Sequence, residues 1–128
     1  MKINILKARI KRNNLEDYAG HYFRDETSQI VDTLNHNGKE ALVGIERGDG
    51  VYTIIGKNYV YYSTGSGTNG EIPLDVFSNI LSANGINKGK GSEFEYVKIN
   101  EKNEFVWLYN KSTMESMWNI ILWLETLI

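Results

Sequence analysis

The chain predicts an α+β fold: a mainly antiparallel sheet of five to six strands, made of a central meander and a second hairpin, packed against helices and closed by an apolar C-terminal helix. Three features predict it. Residues 41–64 hold three short runs rich in β-branched and aromatic residues, residues 93–110 hold two more, and residues 112–128 are apolar at helical spacing. A length of 128 residues with 41% apolar content suits one domain, 1–128, burying roughly two-thirds of its unfolded surface.

At the N-terminus, KINILKARI alternates at Ile3 and Ile5, slips at Leu6 and resumes through Ala8 to Ile10. This favours a bulged strand, although Ile3, Leu6 and Ile10 also share one side of a helix. Residues 14–26 are polar and aromatic by turns, with room for a short helix. Thr27 or Ser28 caps a better one through Ile30, Val31 and Leu34, ending at Asn37-Gly38.

ALVGIER, VYTIIG and YVYYST, joined by Gly48-Asp49-Gly50 and Gly56-Lys57-Asn58, form the antiparallel meander. Pro73 then stands as a first helical residue, Val76, Phe77, Ile80 and Leu81 give that helix its apolar face, and Gly85 stops it. The second hairpin pairs EFEYVKIN with EFVWLYN around Lys102-Asn103. In its second strand Phe105, Trp107 and Tyr109 face one way and Val106 and Leu108 the other, which predicts an interior strand with layers above and below, or one side covered by a partner.

The last helix opens on a capping box, Ser112 with Glu115. Met114, Met117, Ile121, Leu124 and Ile128 form one stripe, and Trp118, Ile120, Leu122, Trp123 and Leu127 fill most of the remaining circumference. A helix apolar nearly all round is buried, or shared with a partner such as its own copy. At about fifteen residues it falls short of the ~20 that span a bilayer, and no membrane association is expected.

With no cysteine, the chain has no disulfide, thiolate nucleophile or Cys-ligated metal, and a reducing, cytoplasmic compartment is expected. The N-terminus carries no apolar signal-peptide core. Net charge is −2, but it is unevenly spread: Lys2, Lys7, Arg9, Lys11 and Arg12 precede any acid, and then Glu16, Asp17, Asp25, Glu26 and Asp32 stand against Arg24 alone.

Gly65, Gly67 and Gly70 reproduce the G-x-G-x-x-G spacing of dinucleotide-binding turns. That turn works only between a buried parallel strand and a helix whose amides meet the pyrophosphate. Here the preceding strand belongs to a hairpin, and Glu71 would set a carboxylate against the phosphates, so no cofactor is expected. NKGKGSE at 87–93 lacks the frame of a phosphate-binding P-loop. His21 and His36 have no metal-ligand spacing, Glu93 and Glu95 have no third ligand, and no serine sits in a nucleophile motif. Catalytic, metal and direct nucleic-acid roles are therefore not expected. The tyrosines Tyr59, Tyr61 and Tyr62 have little beyond Lys57 as basic company.

The acid-rich 16–32 segment, the carboxylates Glu93, Glu95, Glu101 and Glu104 around the second hairpin, and the aromatic content together resemble the small, Cys-free, mildly acidic immunity proteins of bacterial contact-dependent growth-inhibition and polymorphic-toxin systems. The resemblance is one of whole-chain profile, without a shared motif. It implies a non-catalytic inhibitor of a cognate toxin, often a nuclease, whose carboxylates occupy a groove built for phosphates. The partner-facing residues it suggests are Glu93, Glu95, Glu101, Glu104, Glu16, Asp17, Asp25 and Glu26. Two other readings stand beside it: a small ligand-binding domain or enzyme with a pocket near Gly65–Gly70, and a structural subunit that pairs through its terminal helix.

Overall fold

A computed structural model describes residues 3–64, 67–88, 95–100 and 104–127, with the backbone alone for 84–88. The chain runs α1 (Ile3–Arg12), α2 (Leu15–Ala19), a 3-10 turn (Gly20–Tyr22), β1 (Phe23–Arg24), α3 (Gln29–His36), β2 (Ala41–Glu46), β3 (Tyr52–Gly56), β4 (Tyr59–Ser63), β5 (Asn69–Pro73), α4 (Leu74–Lys88), β6 (Tyr96–Lys98), β7 (Phe105–Trp107) and α5 (Lys111–Glu125). The class is α+β. Strands β1 to β5 form one antiparallel sheet in chain order, and β6 and β7 form a separate two-stranded sheet.

The N-terminal stretch is a helix, not the bulged strand that its alternation favoured. Leu6 and Ile10, one turn apart, are buried, whereas Ile3 and Ile5 are exposed. Straight-chain Lys and Arg cost little in a helix, and Arg9, Lys11 and Arg12 in the last turn oppose the negative end of its dipole.

The meander is β2, β3 and β4 as expected. Two strands extend it that the sequence did not announce: the two-residue β1, and β5, which begins inside the glycine-rich stretch. Pro73 closes β5 rather than opening α4, and α4 runs past Gly85 to Lys88.

Alternation divides the sheet's side chains between two layers. Val43, Ile45, Ile55, Val60 and Tyr62 join the larger core with Leu6, Ile10, Leu15, Phe77, Trp107 and the buried stripe of α5. On the other face Ala41, Ile54 and Tyr61 meet Val31 and Leu34 of α3. A register shift between Ala41 and Val43 lets these two residues, otherwise on one face, serve opposite layers. Thr53, fully buried, donates its hydroxyl to the Trp107 carbonyl and so pins β7 to β3.

Both sheet edges are blunted. At β1, Arg24 Nη1 donates to the carbonyls of His21 and Phe23, each at 2.8 Å. At β5, the Thr64 to Thr68 and Leu74 to Asn58 hydrogen bonds fix the phase of the ladder, so the outward-facing amides belong to Asn69, Glu71 and Pro73. Proline has no N–H to offer there.

The cap of α5 lies two residues before the expected capping box. Asn110 is the cap, its Oδ1 accepting from the Thr113 amide at 2.8 Å. The chain reaches it through Tyr109, held at φ 71°, with the Asn110 amide bonded back to the Leu108 carbonyl at 2.9 Å. That sharp reversal takes the chain from strand to helix within three residues, and it leaves Ser112 inside the helix. Met114, Met117, Ile120, Ile121 and Leu124 are buried, while Leu122 and Leu127 are exposed.

Candidate partner-binding site

Between α1, α2 and residues 23–26 lies a hollow of about 520 Å³, lined by Lys7, Ile10, Lys11, Asn14, Glu16, Asp17, Phe23, Asp25 and Glu26. Its construction follows from the chain. Ile10 and Leu15 anchor α1 and α2 in the core, Asn14 turns between them in the left-handed region at φ 56°, and β1 brings Phe23 back beside Ile10. The short α2 points Glu16 and Asp17 outward, since Leu15 and Ala19 take its buried side.

Four of the eight expected partner-facing residues, Glu16, Asp17, Asp25 and Glu26, therefore meet around one hollow. Two are already engaged. Lys7 Nζ lies 2.8 Å from Glu26 Oε1, and this hydrogen bond raises the lysine's pKa above its ordinary value. Asp25 Oδ1 accepts from the backbone amide and hydroxyl of Thr27, while the Asp25 amide donates to Ser28 Oγ. Ser28 thus sits at the cap position of α3 with its side chain spent on the preceding turn. Lys7 and Lys11 offset half of the four negative charges, which leaves the rim acidic.

Glu95 and Glu104 do not join this site. Glu95 is exposed on the second hairpin, its carbonyl accepting from the Leu108 amide at 2.6 Å. Glu104 is half-buried and accepts from the Tyr62 hydroxyl at 3.4 Å. Burial first, then this carboxylate, pushes the Tyr62 phenol above its ordinary pKa. Glu93 and Glu101 lie outside the described residues.

A second hollow, lined by His21, Tyr22, Arg24, Glu46, Arg47, Gly48 and Asp49, flanks the same edge strand. Arg24 Nε donates to Glu46 at 2.9 Å. Arg47 makes a two-pronged bond to Asp49, donates to the Tyr96 hydroxyl at 2.7 Å and lies over the Trp107 ring, 5.1 Å from its centroid. Tyr22 meets Trp107 and Tyr109 edge-on, at 5.0 and 4.9 Å between centroids. Nothing local in the sequence signals this cluster, because its members come from as far apart in the chain as Tyr22 and Tyr109. Tyrosine, tryptophan and arginine in such proximity are the residue types that dominate binding hot spots.

The glycine-rich loop is a hairpin connection. The Gly67 amide bonds to the Thr64 carbonyl, and Gly70 lies in β5 opposite Tyr62. A Cβ at Gly70 would come within 2.6 Å of Tyr62 Cζ, so this glycine makes room for an aromatic ring. Neither hollow includes a described residue of the loop. His36 sits exposed at the end of α3 beside Asp32, and His21 stacks on Tyr22. Among the described residues no three potential metal ligands gather, and no helix is long and apolar enough to cross a membrane.

In comparisons with known proteins, no family model, curated protein or solved structure matches the chain.

Proposed function

We propose that this chain is a non-catalytic immunity protein that binds and neutralises a cognate bacterial toxin domain, acting in the cytoplasm. The supporting observation is the hollow between α1, α2 and β1. Carboxylates from two separate stretches, 16–17 and 25–26, gather there over the apolar side chains of Ile10 and Phe23. An acidic rim on an apolar floor suits a basic protein surface, such as the phosphate groove of a nuclease. Charge complementarity raises the association rate, and the apolar contact supplies residence time.

The test is co-expression with the product of the neighbouring gene, followed by co-purification and growth measurement. Stoichiometric complex formation and restored growth are expected. Charge reversal at Glu16 and Asp17, both exposed, should slow association at least tenfold at low salt with the fold intact, and the difference should shrink as salt rises. A toxic neighbour that this protein neither binds nor neutralises would overturn the reading.

A further inference from the structure

We propose that Thr113 and Ser116 together hold a buried water molecule in the seam that α5 makes with α1 and α2. Thr113 is fully buried and Ser116 is 3% exposed. Neither hydroxyl oxygen has a hydrogen-bond partner among the described residues. Serine and threonine inside helices ordinarily satisfy themselves on the carbonyl of the preceding turn. These two do not, and a buried hydroxyl stripped of water without a replacement partner is costly.

Helix geometry places the two groups together, because residues three apart are neighbours on one flank. Ser116 also shares its flank with Trp123, two turns later, and the Arg9 guanidinium of α1 lies 5.4 Å from the Trp123 ring centre. α2 packs on α5 as well. The hydroxyl pair therefore looks toward α1 and α2. There α2 presents the small, buried side chain of Ala19.

A water needs two to four polar partners, and the two hydroxyls supply two. The surrounding α5 side chains Met117, Ile120 and Leu124 are neutral and apolar, so the seam suits a small neutral ligand and not an ion. Trp107 Nε1 is a third buried group without a partner among the described residues, but the assignment does not depend on it. The inference is independent of the proposed toxin.

Two measurements test it. In water-selective NMR of the intact protein, the Thr113 methyl should show a direct cross-peak to a water whose sign marks a long residence time. In thermal unfolding, Thr113→Val and Ser116→Ala should each lower Tm by about 3 °C or more. The double variant should fall no further than the worse single one, since both lose the same molecule. An absent cross-peak overturns the proposal, as do single variants whose Tm is unchanged or raised, the result expected for dry orphan hydroxyls. If a variant fails to fold, the cross-peak decides.

Discussion

Gly70 and Tyr62 occupy one volume from opposite strands, and a methyl on the glycine would displace the ring or the ladder. Gly70→Ala should cost about 1–3 kcal/mol in urea unfolding; an unchanged midpoint would show that the ring swings aside. The G-x-G-x-x-G spacing was plain in the sequence. Its cause was not, because it lies in a side chain paired across a hairpin. Asn110 is a second case: the sequence favoured Ser112 as the cap, and only the reversal at Tyr109 selects Asn110. Asn110→Ala should lose about 1 kcal/mol, and Ser112→Ala close to nothing. Asp49 gives a pH signature. The Arg47 hydrogen bond holds its carboxylate below the ordinary value of 3.8. Its contribution is therefore complete above that ordinary value and is lost as pH falls through the lowered one. Carboxyl-carbon NMR should show the depressed midpoint, and Arg47→Gln should return it toward 3.8.

At the scale of elements, legibility followed the strength of the local pattern. The meander and α5 were readable because long apolar runs at clear spacing leave few alternatives. At α1 the alternation misleads, because Ile3 and Ile5, which carry it, are solvent-facing, and the two residues that decide the fold are Leu6 and Ile10. β1 was unreadable for another reason: two residues make no period. α5 offers a sharp internal comparison, since Ile121 is fully buried and its neighbour Leu122 is 44% exposed. Ile121→Ala should cost about 2–5 kcal/mol. Leu122→Ala should stay within about 0.5 kcal/mol. Comparable losses at both positions in chemical denaturation would mean that the outer face of α5 is covered in solution, as a paired helix would be.

For the whole molecule, the acidic hollow was half legible. Its carboxylates were visible as a run in the sequence, but their meeting with Lys7, Ile10 and Lys11 depends on α1 being a helix. The sheet's two blunted edges were invisible, since they rest on the phase of the ladder and on one side chain folded over its own strand. Arg24→Ala combined with Pro73→Val should restore outward-facing hydrogen-bonding groups, and light scattering should then rise with protein concentration where the parent remains constant. The same blunting limits how any partner can recognise this protein. A strand laid alongside the sheet would read mainly backbone, and backbone is nearly indifferent to sequence. With that route narrowed, the proposed partner is expected to read side chains in the hollows on either side of β1, where a few substitutions can redirect the choice of partner while the hydrogen-bonded frame stays as it is.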